Sequence, residues 1–272
     1  MKTSKGKNLK YTNLNDYKPY DYSIPSINLN IIINKSNVKI ISELLFIKKN
    51  TFTNHILLKG KDIDINKIYL NNTELSNDFY CKTDDELLIN NIDNKENILR
   101  IESLILPKKN TSLLGMYESN EIITTQCEAE GFRKICFHPD RPDILSKYIV
   151  RIEADKEEYP VLLSNGNLIS QSVLKNNRHE IVWEDPFPKP SYLFALVAGK
   201  LKCIEDHYYT KSNRKIKIHL YVEDGDQVYV QHAIDSLKKA MRWDEDKYEL
   251  EYDLDLFNIV AIRHFNMGAM EN

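Results

Sequence analysis

The feature that most restricts the fold is the regular recurrence of short apolar runs of β type in the first two thirds of the chain. Runs such as INLNIIIN, VKIISELLFIKK and HILLKG are separated by Asn, Asp, Lys and Gly. Their spacing of roughly 8–12 residues is typical of strands joined by turns. The sequence therefore predicts a mainly β fold for this part of the chain.

Further strands are predicted along the same part of the chain, at INKIYL, ELLINNI, NILRIESLIL, KICFH, YIVRIEA, EYPVLLSNGN, HEIVWEDPFPKP and YLFALVAGKLKCIE. Within these runs, SNGN has the composition of a hairpin turn. The proline-rich DPFPKP is expected to break the ladder of backbone hydrogen bonds, because proline lacks an N–H. No internal repeat is evident.

The pattern changes near Gly199. KIKIHLYVE predicts one more strand, and the following segment has apolar residues at helical spacing: Val230, Ala233, Ile234, Leu237, Ala240 and Met241. This spacing predicts a helix, with Asp226 placed to cap its start. YDLDLFNIVAI then predicts a strand that enters a core. We therefore expect an all-β domain over residues 1–198 and α+β structure over residues 199–272.

Composition and charge exclude several classes of protein. The chain has 272 residues and a formal charge of −3, with acidic and basic residues mixed along its length, so no basic block is present to neutralise nucleic-acid phosphates. No run approaches the ~18 apolar residues of a membrane span, and the first residues have no apolar core of a signal peptide. We expect a soluble protein of the cytoplasm or another intracellular compartment that binds no nucleic acid.

The familiar catalytic and metal motifs are not matched. HEIVW, at residues 179–183, begins like the zinc helix H-E-x-x-H but has Trp183 at the second ligand position. Cys81, Cys127, Cys136 and Cys203 are scattered without a C-x-x-C pair, which favours reduced thiols over a structural zinc site or a disulfide framework. The acidic residues of EDGDQ lack the spacing of a calcium loop. No nucleophilic triad is evident, and we expect no metal site in this chain.

Two polar stretches remain. In TTQCEAEGFRK, Gln126 and Glu128 would share one face of a strand, Glu130 would continue that face, and Gly131 would allow an irregular turn. Such a face is either a solvated edge or the wall of a binding site. In the closing NMGAMEN, Gly268 and Ala269 are small enough for another backbone to approach closely. Small residues after a strand are also ordinary loop material.

Together the two stretches resemble the aminopeptidase N family of zinc metallo-aminopeptidases. NMGAMEN is similar to the exopeptidase motif G-x-M-E-N of that family. The resemblance extends through YDLDLFNIVA, SLKKAMRWDE, DPFPKPSYLFALVAGKL, YPVLLSNGN, DRPDILSKYIVRI and TTQCEAEGFRK. It is dense from Thr111 to Asn272 and only patterned before that. Arg263 and His264 depart from it, since bacterial relatives usually have an acidic and an aromatic residue there.

The resemblance implies a saddle-like all-β N-terminal domain followed by the start of a thermolysin-like catalytic domain, cut at the GAMEN motif. It implies that the helix carrying H-E-x-x-H and the other zinc ligands lies beyond Asn272, so that this chain alone is inactive. Glu271 matches the glutamate that holds the free α-ammonium of the substrate, and Gln126 and Glu128 match the pair that completes this anchor. Gly268 and Ala269 match backbone that pairs with the substrate, and Met267 matches a residue of the first side-chain pocket.

The implied activity is removal of N-terminal amino acids from peptides by the full-length, zinc-dependent enzyme. Its expected partners are peptides with a free N-terminus and the remaining domains of the same polypeptide. Two alternatives stay open: a non-catalytic scaffold with the same fold, and a free-standing β-sandwich binding module. Retention of Gln126, Glu128 and the GAMEN string argues against the scaffold, and the apolar C-terminal strand argues against the module.

Overall fold

Residues 13–272 are described by the computed structural model, and they form nineteen strands and one α-helix. The strands are β1 (Tyr22–Ser23), β2 (Ser26–Ile33), β3 (Val38–Lys48), β4 (His55–Lys59), β5 (Asp64–Leu70), β6 (Thr73–Glu74), β7 (Tyr80–Lys82), β8 (Glu86–Asn90), β9 (Glu96–Ile105), β10 (Gly115–Ser119), β11 (Ile122–Gln126), β12 (Leu145–Asp155), β13 (Val161–Ser164), β14 (Asn167–Val173), β15 (Arg178–Pro190), β16 (Leu196–Gly199), β17 (Lys202–Tyr209), β18 (Lys215–Val222) and β19 (Leu256–Val260). The helix α1 spans Val230–Tyr248.

The largest sheet has the order β14-β15-β12-β2-β3-β9-β5-β6, with β1 paired to β3. Its neighbours are antiparallel except for β2 and β12, which run parallel. Side chains alternate between buried and exposed along β12 because successive residues of a strand face opposite sides of a sheet. The buried side chains join one apolar core with those of the smaller sheets β4-β8-β7 and β10-β11-β16-β13. The predicted mainly β fold is confirmed.

After β16 the chain enters a different layer. Strands β17, β18 and β19 form a three-stranded sheet, in which β18 and β19 are parallel, and α1 packs on one face of it. A second apolar cluster lies between them, with Ile216 and Ile218 from the sheet and Ile234 and Met241 from the helix. The predicted helix and the predicted strand at YDLDLFNIVAI are therefore confirmed. The division into residues 1–198 and 199–272 stays a prediction.

Three local predictions were wrong. KICFH is not a strand: Phe132–Lys134 form a 3-10 turn and only His138 makes an isolated bridge, to Lys59. Residues 135–138 are buried in succession, without the alternation that a half-buried strand needs. SNGN is not a hairpin turn, because β13 pairs with β16 whereas β14 pairs with β15. It is a corner at which the chain passes from one sheet to another.

DPFPKP interrupts the ladder locally, as predicted: Asp185 pairs with Tyr148 and Lys189 with Ser146, whereas residues 186–188 have no partner in β12, and pairing then resumes through Pro190. Residues 186–188 of β15 bulge out of the pairing, so Pro186 and Pro188 are accommodated without ending the ladder. The third wrong prediction is the cap of α1: Asp226 makes no side-chain capping bond and instead accepts a 2.6 Å hydrogen bond from Arg263. The helix begins at Val230, after a 3-10 turn.

The corner after β13 predicts a glycine requirement at position 166. Gly166 has φ +87°, and a Cβ atom there would lie 2.1 Å from the carbonyl oxygen of Glu184. Gly225 has φ +97°, and a Cβ atom there would have no other atom within 4 Å. Both Gly166→Ala and Gly225→Ala add backbone strain of about 1–3 kcal/mol. Only Gly166→Ala adds a clash, so we expect its free energy of unfolding to fall by roughly 1–3 kcal/mol more.

Urea unfolding followed by tryptophan fluorescence measures this difference, because the buried Trp183 pairs with Leu168 beside the corner. Gly225→Ala is the matched control, since it shares the positive φ but has free space. Equal losses in the two variants would show that steric contact with Glu184 does not set the requirement for glycine.

Candidate functional site

One edge of the sheet β10-β11-β16-β13 brings the sequence-predicted residues together. Strand β11 ends at Gln126, and its two neighbours run antiparallel to it. The starts of β10 and β16 therefore lie at the same edge as the end of β11. Gly115 is paired directly with Gln126, and Leu113 and Leu193 lie shortly before the two strand starts.

Gln126 and Glu128 are connected by a side-chain hydrogen bond. Gln126 is buried, with 1% of its surface exposed, and its Oε1 accepts the backbone N–H of Glu128 at 2.9 Å. Its Nε2 has no hydrogen-bond partner among the described residues. The prediction that strand alternation places the two on one face was wrong, because the strand stops at Gln126 and residues 128–131 form a turn. The turn exposes the side chain of Glu128 to solvent.

A backbone hydrogen bond between Gly131 and Cys127 closes this turn. The N–H of Gly131 donates to the carbonyl of Cys127 at 2.8 Å, and a Cβ on Gly131 would lie 2.5 Å from the carbonyl oxygen of Gln126. The turn therefore needs glycine for close backbone approach, as the sequence predicted. Cys127 is fully buried, and burial raises the pKa of its thiol well above the usual range. It is a core residue beyond the end of the strand.

The closing segment crosses the same edge. Tyr117 donates its hydroxyl to the carbonyl of His264 at 3.2 Å. Asn266 Nδ2 donates to the carbonyl of Leu113 at 2.9 Å, and Asn272 Nδ2 donates to the carbonyl of Leu193 at 3.1 Å. These two asparagines hold the segment on both flanks of the end of β11. Residues 267–271 connect them.

The segment between the two asparagines is open to solvent. Met267 has 45% of its surface exposed, and Gly268 has no atom within 4 Å of the position of a Cβ. Ala269 and Glu271 are also exposed. Neither Glu271 nor Glu128 forms an ion pair among the described residues, so both carboxylates are available to a cation. Arg263, which departs from the family pattern, pairs with Glu223 at 3.2 Å and Asp226 at 2.6 Å.

A buried polar cluster that the sequence did not reveal lies behind the turn. His138 accepts the backbone N–H of Asp140 through Nδ1 at 2.9 Å, and Asp140 Oδ2 accepts Arg133 Nε at 2.7 Å. Asp140 Oδ1 accepts the hydroxyl of Ser191 at 2.9 Å. The only sequence signal was a histidine and an aspartate inside HPDRPD, and neither residue type alone distinguishes a buried network from a surface loop.

Residues 13–272 contain no group of three or more His, Cys, Asp or Glu side chains that could hold a metal ion. In the same part of the chain, no helix has the length and apolar character needed to cross a membrane.

The family of known proteins that matches this chain is the Peptidase M1 N-terminal domain, over residues 17–193. The chain belongs to the M1 peptidase family. Aminopeptidase N of Haemophilus influenzae is 44% identical over 259 residues, which cover 94% of this chain and 30% of the relative. Aminopeptidase N of Escherichia coli is 40% identical over 257 residues, with 94% and 29% covered. This M1 chain therefore spans about 30% of the length of these relatives.

Solved structures agree with this assignment. Aminopeptidase A of Legionella pneumophila, in complex with aspartic acid, matches with a TM-score of 0.90 and 35% identity over 94% of this chain and 30% of that one. A mutant M1 zinc metallopeptidase of Deinococcus radiodurans matches with a TM-score of 0.74 over 88% of this chain and 56% of that one. At 13% identity the second comparison shows the fold alone. The predicted family is confirmed.

Burial of His138 predicts a loss of stability in mild acid. Burial lowers the pKa of His138 from 6.5 to about 3, so the folded protein keeps this ring neutral where the unfolded chain takes up a proton. The stabilisation is complete above pH 6.5 and declines as the pH falls from 6.5 towards 3. From this residue alone we expect the free energy of unfolding to drop by about 2 kcal/mol between pH 7 and pH 5.

Urea unfolding at pH 7 and pH 5, with wild type and His138→Asn, measures this contribution. The asparagine oxygen can accept the N–H of Asp140 but does not titrate, so the variant should have a smaller loss. Burial raises the pKa of Asp140, which acts in the opposite sense but is common to both proteins. Equal losses in both proteins between the two pH values would contradict the assignment.

Proposed function

We propose that this M1 chain is the N-terminal part of a zinc-dependent aminopeptidase that removes N-terminal amino acids from peptides. Residues 1–198 form its N-terminal domain, and residues 199–272 begin its catalytic domain. Glu128 and Glu271 together bind the free α-ammonium of the substrate.

The observation that supports this proposal most is the pair of hydrogen bonds from Asn266 and Asn272. They hold residues 267–271 across the sheet edge at which Gln126 ends β11 and Glu128 begins the turn. Two carboxylates without ion pairs among the described residues thus belong to two segments that meet at one edge. The Legionella relative, 35% identical, has a free amino acid as its ligand, which carries the same ammonium group.

The chemistry of an α-ammonium suits this arrangement. Its pKa of about 7.7–8.0 leaves it mostly charged at neutral pH, and removing it from water requires close opposite charge. A peptide whose nitrogen is acylated carries no such charge and leaves both carboxylates uncompensated. The anchor therefore selects chain ends over internal peptide bonds, which is the specificity of an exopeptidase.

Gln126 contributes mainly by holding Glu128. Its Oε1 already accepts the N–H of Glu128, and a second lone pair on the same oxygen can accept from the ammonium. Gly268 and Ala269 leave their backbone accessible for pairing with the substrate main chain. Met267 supplies an exposed, flexible thioether that can adapt to different first side chains.

Zinc supplies the activated water in this class of peptidase when it is bound. The residues of this chain do not fit a zinc site: residues 13–272 present no ligand group, and residues 1–12 contain no His, Cys, Asp or Glu. The role of this chain is therefore to bind and orient the amino end of the substrate. A non-catalytic scaffold and a binding module remain the alternatives. Neither has a use for two carboxylates that are free to bind an ammonium group.

The isolated 272-residue chain should fold and should not hydrolyse aminoacyl fluorogenic substrates, because it has no zinc ligands. Metal analysis should find no stoichiometric zinc. Activity that survives repurification and is abolished by a zinc chelator would contradict the proposal that this chain lacks the zinc ligands of the enzyme.

In the full-length enzyme, removing either carboxylate should weaken the anchor strongly. Glu271→Gln and Glu128→Gln keep shape and hydrogen bonding but leave the ammonium under-compensated. We expect a loss of about 2–5 kcal/mol of transition-state stabilisation, or roughly thirty-fold to several-thousand-fold in kcat/KM. Gln126→Ala removes a neutral partner, so it should cost only about 0.5–1.5 kcal/mol. Steady-state kinetics on one aminoacyl substrate measures each loss.

The matched control is Glu130→Gln, the same change two residues further along the turn. Glu130 is exposed and pairs with Arg133 at 3.1 Å, so the loss of this surface pair should leave kcat/KM within about two-fold. If Glu271→Gln kept the wild-type kcat/KM, the anchor assignment would be wrong. A scaffold would have no measurable activity in the wild type.

A further inference from the structure

Asp140 is a buried carboxylate that the proposed function does not use. Its side chain has no exposed surface. Burying a carboxylate is costly unless it is paired and hydrogen-bonded, so its partners indicate what the buried charge stabilises.

The first partner, Arg133, belongs to the turn that carries Glu128. Both its backbone N–H, at 3.2 Å, and its Nε, at 2.7 Å, donate to Asp140 Oδ2. Arg133 lies two residues beyond the 128–131 turn and also pairs with Glu130 at 3.1 Å. Asp140 thus fixes the downstream end of the turn whose upstream end is held by Gln126.

The second partner, Ser191, belongs to the opposite flank of the sheet edge. Its hydroxyl donates to Asp140 Oδ1 at 2.9 Å. Two residues later, the carbonyl of Leu193 accepts Asn272 Nδ2 at 3.1 Å and Asn165 Nδ2 at 3.0 Å. The two oxygens of one carboxylate therefore join the turn that carries Glu128 to the segment that holds the end of the GAMEN motif.

We propose that Asp140 is a positioning residue that sets the separation between Glu128 and Glu271 for binding of the substrate ammonium. The inference rests on the proposed function. An ammonium group held by two carboxylates requires both carboxylates to lie within hydrogen-bond distance of it at the same time. The two glutamates, however, lie on exposed segments and form no ion pair among the described residues that would fix their positions. Their separation then depends on the buried groups beneath them. Among residues 13–272, Asp140 is a carboxylate that bonds both Arg133, beside the turn that carries Glu128, and Ser191, beside the segment that holds Asn272.

The test uses the full-length zinc enzyme and the variant Asp140→Asn. An amide keeps the shape but leaves Arg133 without its counter-charge and presents an N–H where an acceptor is needed. Displacement of the turn that carries Glu128 should raise KM for an aminoacyl fluorogenic substrate, and Ki for the corresponding free amino acid, by about ten- to a hundred-fold. A purely structural defect would instead reduce the active fraction, which lowers apparent kcat and leaves KM and Ki unchanged.

Glu245→Gln is the matched control for removing a buried, arginine-paired carboxylate. Glu245 lies in α1, is 1% exposed, and accepts hydrogen bonds from Arg242 at 2.8 Å and from Tyr208, a residue of the second apolar cluster, at 2.9 Å. We expect it to lower thermal stability without changing Ki. Ser191→Ala is the milder test, should Asp140→Asn fail to fold: it removes one hydrogen bond of Asp140 and should raise Ki about two- to ten-fold.

The outcomes separate the inference from the proposed function. If the wild-type enzyme prefers a free over an N-acetylated amino end, but Asp140→Asn and Ser191→Ala change Ki no more than Glu245→Gln does, the role of Asp140 is overturned and the proposed function stands. If the wild-type enzyme does not distinguish the two amino ends, no ammonium anchor exists and both are overturned. A rise in Ki for both variants, against an unchanged Glu245→Gln, supports the inference.

Discussion

The antiparallel pairing of β11 with β10 and β16 is the constraint on which the candidate site depends. Alternating strand directions bring the end of one strand and the starts of its two neighbours to a single edge. The carbonyls of Leu113 and Leu193, just before those starts, accept the side chains of Asn266 and Asn272. These two neutral hydrogen bonds contribute only about 0.5–1.5 kcal/mol each. They therefore determine where residues 266–272 lie more than they stabilise that segment. Packing of Val260 and Ile262 against the main core also stabilises this part of the chain.

The distribution of charge follows from where each carboxylate lies. Asp140 and Glu245 are buried, and each is paired with an arginine and accepts a hydroxyl. Glu128 and Glu271 are exposed, and the described residues offer them no cation. A carboxylate that binds a ligand cation must not already be neutralised by the protein, whereas one that holds a turn in the core must be. Under the proposed function, the same functional group therefore serves two purposes, which burial and pairing distinguish.

Much of the fold was predictable, because alternating apolar residues identify strands wherever one face of a sheet is buried. The failures have specific causes. Residues 135–138 are buried on consecutive positions, so the apolar run there indicated burial correctly and the period wrongly. The SNGN corner has the composition of a hairpin, but β13 pairs with the distant β16 whereas β14 pairs with the following strand β15, and turn composition does not identify these partners. The irregularity at DPFPKP lies in β15, where residues 186–188 are unpaired, and local sequence does not show that pairing with β12 resumes beyond it.

The candidate residues were found through their resemblance to a family, and their geometry could not have been derived from spacing. Strand alternation would have joined Gln126 and Glu128; a side-chain to backbone hydrogen bond across a strand end does so instead. The links between Asn272 and Leu193, or Ser191 and Asp140, join residues 79 and 51 positions apart. Such long-range contacts arise only when the sheets are assembled, so the supporting network was invisible in the sequence.

A crystal structure of the full-length protein with a free amino acid bound would test most directly whether Glu128 and Glu271 form one anchor. We expect the α-nitrogen to lie at about 2.7–2.9 Å from a carboxylate oxygen of Glu128 and, at the same time, from one of Glu271, which is the distance of a charge-assisted hydrogen bond. An α-nitrogen bound by other groups, with either glutamate turned to solvent, would contradict the claim that these two segments form one anchor.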